Sequence, residues 1–334
     1  MLVKMQPINV KSLNIFKGLL EQTKISFVEI KDGHNTIFQM DQKHSVELGK
    51  SMYAPFINNI LPIRSTYQLV SRDYKHADTI VRIKNVSIGA GSATIMAGPC
   101  AVEDEATMRK IAKELKRTGV KILRGGAFKP RTSPYSYQGL GVDGLKLLRE
   151  VADDYGLAAV SEVLDVRHMD EAEKYLDCIQ IGARSMQNFE LLKRCGQSDL
   201  PILLKRGPSA TIEEFLLAAE YIYVHGNSKI ILCERGIKTF EPMTRNTFDI
   251  NAVALLKQLT HLPVVADPSH GTGIRAVVLP VALSAIAAGA DGLLIEAHHE
   301  PDRAISDGMQ TIDMNQLRTL AKRMTILEEV RNVI

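Results

Sequence analysis

The chain has 334 residues, 45% of them hydrophobic and 24% charged, with a net charge of +3 at pH 7; it has room for one β/α barrel of about 250 residues and one small module, but no basic run or aromatic interleaving for nucleic acid. No apolar stretch approaches the roughly 20 residues of a membrane helix, and the N-terminus MLVKMQPINVK lacks the apolar region and cleavage site of a secretory signal. Cys100, Cys178, Cys195 and Cys233 form neither a CxxC pair nor a disulfide framework, so a cytoplasmic protein with reduced thiols is expected.

Residues 1–66 read as a strand (2–6), a helix (11–22), two strands (26–31 and 35–40), a helix (43–51) and a strand (59–64), a small βαββαβ α+β sandwich. Residues 67–92 form a connector in which Ile80, Arg82, Val86 and Ile88 alternate as in a hairpin, placed to cap the bottom of the barrel. From residue 93 onward, β-branched runs alternate with helical patterns. Strands are predicted at 93–98, 121–125, 158–162, 178–182, 201–206, 229–234, 262–267 and 291–296. Several are apolar throughout, as strands covered on both faces should be. Between them, the helix in 141–156 has Leu145, Leu148, Val151 and Ala152 at helical spacing and closes at Gly156, while the one over 104–118 stops at Gly119. Eight consecutive units predict a closed (β/α)8 TIM barrel over residues 93–334, with an open doubly wound sheet as the alternative.

Such barrels work at the C-terminal ends of their strands. In strand order, the groups there are Cys100; Arg124, Lys129 and Arg131; Glu162; Arg184; Lys205 and Arg206; Glu234 and Arg235; Asp267 and His270; and Glu296 and His298. Each has an ordinary explanation on its own, since a buried cysteine is a small hydrophobe and an arginine an ion-pair partner. Together they divide into two chemical sets. Cys100, His270, Glu296 and Asp307 offer a thiolate, an imidazole and two carboxylates, a borderline set suited to one divalent metal ion, whether Zn, Mn, Fe or Co. Arg124, Lys129, Arg131, Arg184, Lys205 and Arg235 supply more positive charge than a neutral substrate requires, which points to phosphate or carboxylate on the substrates. A Lewis acid beside anion sites suits polarising a carbonyl or activating a water.

The strings AGPC (97–100), LRGGAFKPRTSPYSYQG (123–139), QIGARSMQNFELL (180–192), LLKRG (203–207), ILCERG (231–236), DPSHGTG (267–273), IEAH (295–298) and SDGMQT (306–311) carry a resemblance to the 3-deoxy-D-arabino-heptulosonate 7-phosphate (DAHP) synthases of the type I beta subgroup. It spans nearly the whole barrel. The connector YQLVSRDYKHADTI (67–80) resembles that of members with an N-terminal ferredoxin-like domain, and the strand-rich N-terminus does not suit the helical chorismate mutase fused to others.

The resemblance implies condensation of phosphoenolpyruvate with erythrose 4-phosphate, releasing phosphate at the head of the shikimate pathway. Carried over position by position, it implies that Cys100, His270, Glu296 and Asp307 hold the metal and that Arg184, Lys205 and Arg235 contact phosphoenolpyruvate, mainly its phosphate. Arg124 and Lys129 would reach its carboxylate, Arg131 and Thr132 of KPRT would grip the aldose phosphate, and Pro130 would be a further substrate contact. Lys129, Glu162 and His270 are the implied catalytic residues, and Lys129, Glu162 and metal-bound solvent stand as candidates for handling the proton of the attacking water. Residues 1–66 would be a regulatory domain binding Tyr or Phe, and the assembly a homo-oligomer, expected to be a tetramer. Two positions depart from the family pattern: His299 follows His298 where proline is usual, and Ser161 stands where threonine is common.

Two rivals are weighed. The sister 3-deoxy-D-manno-octulosonate 8-phosphate synthases use arabinose 5-phosphate on the same barrel, but their loop resembles KANRSS where this chain has KPRT. A catalytically dead, ligand-sensing barrel predicts losses among the metal ligands, and none is lost.

Overall fold

A period of two along each strand decides which side chains share a face. The structure is a computed structural model that describes residues 1–331 other than Ile8, His34 and Thr132. Its N-terminal part comprises β1 (Leu2–Met5), α1 (Val10–Gln22), β2 (Phe27–Asp32), β3 (Asn35–Met40), α2 (Ser45–Leu48) and β4 (Ile57–Leu61). The four strands form one antiparallel sheet in the order β2-β3-β1-β4. Val3, Met5, Phe38 and Met40 turn to one face and pack with Phe16, Leu20 and Tyr53. Leu2, Ile30 and Ile37 turn to the other and join the core that covers the barrel.

Two elements are shorter than the sequence suggests. The helix expected over 43–51 forms only as α2, entered through a 3₁₀ turn at Gln42–His44, where the Asp41 carboxylate accepts from the Lys43 amide at 3.0 Å. Gly49 follows it immediately, a residue that favours helix ends. The last strand forms as β4 rather than over 59–64, because Pro62 has no amide to give to a ladder.

The connector contains the hairpin β5 (Val81–Ile83) and β6 (Val86–Ile88). Its inward residues are Val81, Ile83, Val86 and Ile88, so on the first strand they are one place removed from the Ile80 and Arg82 of the sequence reading, and Ile80 is exposed. They enter the bottom of a closed parallel barrel made of β7 (Thr94–Gly98), β8 (Ile122–Arg124), β9 (Ala158–Val163), β10 (Cys178–Ile181), β11 (Ile202–Lys205), β12 (Ile230–Glu234), β13 (Val264–Ala266) and β14 (Gly292–Glu296). Around it run α3 (Glu105–Thr118), α4 (Val142–Tyr155), α5 (Met169–Tyr175), α6 (Phe189–Gly196), α7 (Ile212–Val224), α8 (Ile250–Leu259), α9 (Pro268–Thr272), α10 (Arg275–Ala287) and α11 (Met314–Arg331). Gly119 and Gly156 end α3 and α4 in the left-handed conformation. No described helix is long and apolar enough to cross a membrane.

Alternation sorts the barrel residues. Met96, Ile122, Val160, Cys178, Leu203, Ile231, Val265 and Leu294 point inward and pack with the hairpin. Ile95, Leu123, Ala159, Ile179, Leu204, Leu232, Val264 and Ile295 point outward under the helices. Continuing the inward register to the strand ends aims Arg124, Glu162, Lys205, Arg235, Asp267 and Glu296 at the mouth opposite the hairpin.

Candidate active site

At that mouth, Cys100 just past β7, His270 on α9, Glu296 at the end of β14 and Asp307 in the following loop bring one ligand atom each to within 4.8 Å of one another. Thiol, imidazole and two carboxylates in that compass fit a single divalent cation. Local chemistry aims each of them. The Asp267 carboxylate caps α9 by accepting from the His270 amide at 3.0 Å, and also accepts from Nδ1 of its ring at 2.7 Å. A carboxylate only accepts, so Nδ1 carries the proton and Nε2 is left to face Glu296 Oε1 at 3.4 Å. Asp307 has φ 56°, a left-handed conformation that aspartate tolerates. Its turn is closed by the Thr311 hydroxyl donating to Asp307 O at 2.9 Å, and Gly308 is needed next because a Cβ there would lie 2.6 Å from Pro301 O.

Charges are balanced around this group. Burial pushes the Cys100 thiol up to about 12, with Glu296 acting in the same direction. Lys129 Nζ opposes this, donating to Cys100 Sγ at 2.9 Å and to Cys100 O at 3.0 Å. Burial also works against charging Asp307 and Glu296. In Asp307 the thiol of Cys100, donating at 3.1 Å, and the Arg245 guanidinium outweigh it, holding the carboxyl at about 2. In Glu296, the opposing pull of His270 and Arg124 keeps the carboxyl below the usual range. Arg124 Nη1 donates to Glu296 Oε1 at 3.1 Å, and the Gln310 amide donates to its other oxygen.

Beside these four groups lies a cavity of about 380 Å³ whose wall carries Lys129, Arg131, Arg184, Lys205, Arg235, Lys238 and Arg245, together with Pro130, Glu162, His270 and Asp307. Arg131 is fixed by donating from Nε to Tyr137 O at 3.1 Å and from its guanidinium to the Ser306 hydroxyl; Arg184 donates to Pro130 O at 3.1 Å. Glu162 reaches the wall because residue 182 is glycine: a Cβ there would lie 1.8 Å from Glu162 Oε1. Its Oε2 accepts from the Gln180 amide at 3.2 Å.

The expected site residues thus gather at one mouth, with two qualifications. Arg124 lies beneath the metal group and is not part of the cavity wall, and Thr132 lies outside the described residues. Three strand-end groups are drawn elsewhere. Arg206 and Glu234 have outward parity and pair at 3.0 Å, with Asp249 a second partner of Arg206 at 2.9 Å. His298 stacks on His299 at 4.6 Å, its Nδ1 accepting from the Glu300 amide at 2.9 Å, so the imidazole gathered with Cys100, Glu296 and Asp307 is that of His270. Sequence reading overlooked Lys238, Arg245 and Asn246 on the wall, because they come from the interior of the long segment between β12 and α8. The length and polarity of RGIKTFEPMTRNTFD (235–249) were the available signal.

The sequence profile of the DAHP synthetase I family matches residues 75–332. The chain belongs to this family. A phospho-2-dehydro-3-deoxyheptonate aldolase of Thermotoga maritima is 50% identical over 277 residues, covering 83% of this chain and 82% of that protein. A crystal structure of the Thermotoga maritima phospho-2-dehydro-3-deoxyheptonate aldolase (DAHP synthase) superposes with a TM-score of 0.79 at 43% identity, over 98% of this chain and 97% of that one. A 2-dehydro-3-deoxyphosphooctonate aldolase of Syntrophotalea carbinolica is 31% identical over 272 residues, 76% of this chain and 97% of that protein. The DAHP synthetase I family therefore accounts for the barrel and for the connector from residue 75 onward, and the N-terminal sheet lies within the span shared with the Thermotoga structure.

Proposed function

We propose that this chain condenses phosphoenolpyruvate with erythrose 4-phosphate to give DAHP and inorganic phosphate. The observation that carries the reading is a wall with seven cationic side chains directly against a four-ligand metal group, within a cavity of about 380 Å³. Two phosphorylated reactants, one also a carboxylate, need that much positive charge to be held together.

Arg184, Lys205 and Arg235 hold the phosphate of phosphoenolpyruvate, and Lys129, backed by Arg124, serves its carboxylate. Arg131 and Thr132 hold the aldose phosphate, a role to which the added charge of Lys238 and Arg245 contributes, and Pro130 is a further substrate contact. A divalent cation held by Cys100, His270, Glu296 and Asp307, whether Mn, Zn, Fe or Co, would supply a Lewis acid for the aldehyde oxygen. C3 of phosphoenolpyruvate forms the new bond to the aldehyde carbon, whose oxygen takes a proton. Water adds at C2, losing one proton, and the hydroxyl so formed passes its second proton to the departing phosphate as the C2–O bond breaks, leaving the ketone. Lys129 and Glu162, both on the cavity wall, pass these protons.

Residues 1–66 form a ferredoxin-like regulatory domain, 67–92 the connector and barrel-bottom hairpin, and 93–334 the catalytic barrel. The domain takes Tyr or Phe as feedback effector, and the protein works in the cytoplasm as a homo-oligomer, a tetramer. The choice of aldose is tested by phosphate release from phosphoenolpyruvate in the presence of erythrose 4-phosphate or arabinose 5-phosphate. Turnover with the four-carbon aldose supports the reading; turnover only with arabinose 5-phosphate refutes it.

A further inference from the structure

Asp267 is fully buried and is not part of the cavity wall. Its Oδ2 nevertheless accepts from two groups that are: His270 Nδ1 at 2.7 Å and Lys205 Nζ at 2.5 Å. Its Oδ1 accepts from the His270 amide at 3.0 Å and so fixes the turn carrying that ring. A single carboxylate oxygen thus stands between the imidazole of the metal group and an ammonium of the anion cavity.

Two donors on one oxygen compete, because each draws on the same negative charge. A tetrahedral anion in the cavity takes over part of the ammonium's charge and hydrogen bonding. Asp267 then acts more fully on the Nδ1–H of His270, which makes Nε2 the better electron-pair donor, as carboxylates behind metal-bound histidines do.

We propose that Asp267 is a positioning residue that couples the two halves of the site: an anion at Lys205 tightens the hold of Cys100, His270, Glu296 and Asp307 on a divalent cation, and the cation tightens the hold on the anion. The second half follows from the first, since binding coupling is reciprocal. The inference deepens the proposed reaction and rests on its assignment of those four ligands and of Lys205 as an anion contact. Its consequence is a site that keeps its cation most firmly while a phosphorylated substrate is present.

The test uses the full chain, stripped of metal by chelation and titrated with Mn²⁺, with free ion read by electron paramagnetic resonance. Titrations run in potassium sulfate and in potassium chloride of equal ionic strength, sulfate serving as the tetrahedral dianion. The wild-type dissociation constant for Mn²⁺ is expected to fall about 5-fold or more in sulfate. Asp267→Asn should weaken Mn²⁺ binding about 10–100-fold, and its two constants should then be equal. A wild-type constant indifferent to sulfate overturns the coupling, and that arm needs no variant to fold. An Asp267→Asn protein with the wild-type ratio also overturns it, because the anion would then act on the cation without Asp267. No turnover enters the measurement, so failure of both aldoses in the condensation assay and failure of the coupling are separate results.

Discussion

His261 shows how one side chain outside the site sets a property of the fold. It is buried between the connector and the barrel, where its Nε2 donates to Leu69 O at 2.8 Å and its Nδ1 accepts from the Thr79 hydroxyl at 2.7 Å. Burial lowers its pKa to about 4, against about 6.5 for an unfolded histidine. Between those values the unfolded chain binds a proton that the native chain refuses, so stability is lost as pH falls through the window, by at most about 1.4 kcal/mol per pH unit. Urea denaturation from pH 7 to 4 should therefore cost the wild type more stability than His261→Gln; parallel pH profiles would contradict this. Residue chemistry was legible in the sequence where it depends on register. Arg124, Glu162, Lys205, Arg235, Asp267 and Glu296 share the inward parity of the apolar residues before them, while Arg206 and Glu234 do not. Counting by strand end alone treated both groups alike. Asp267 and Gln310 are legible as residues but not as supports, since Lys205 and Glu296 come from other strands; only the contact of Asp267 with His270, three residues on, is local.

At the scale of elements, Arg206, which stands at a strand end but belongs to neither chemical set, is a structural tie. Arg206 follows β11, Glu234 ends β12, and Asp249 caps α8 by accepting from the Ala252 amide at 3.1 Å while pairing with Arg206. Burial raises the Glu234 pKa and the arginine works against that, so the ion pair is what allows a fully buried carboxylate to sit there. Arg206→Met should destabilise the protein by about 3–5 kcal/mol, because it leaves that carboxylate without its cation. Chemical denaturation checks it, and a loss below about 1 kcal/mol would mean that Glu234 finds another partner. The eight strands were read to within two residues at each end, because continuous apolar runs bounded by turns leave little choice of position. The hairpin register was not: Ile80 and Val81 are equally apolar, and only the interior of the closed barrel selects Val81 and Ile83.

The whole molecule joins its N-terminal sheet to the barrel through α7. Tyr74 and Tyr223 both donate hydroxyls to Asp32, the second at 3.1 Å, and Glu220 accepts from the Leu69 and Val70 amides at 2.8 and 3.1 Å. None of these long-range contacts could be read from local pattern, although the βαββαβ order itself could. If residues 1–66 carry the effector site, Tyr or Phe should inhibit the full chain and leave a chain lacking those residues uninhibited; equal inhibition of both would remove the domain from regulation. One reaction joins the four-ligand group to the cationic cavity, so metal exchange is its sharpest test. Phosphate release from phosphoenolpyruvate and erythrose 4-phosphate is measured on the chelator-stripped chain, before and after a divalent cation is restored. Release should be lost on stripping and recovered with the cation; release undiminished by stripping would show that the reaction does not use the four-ligand group.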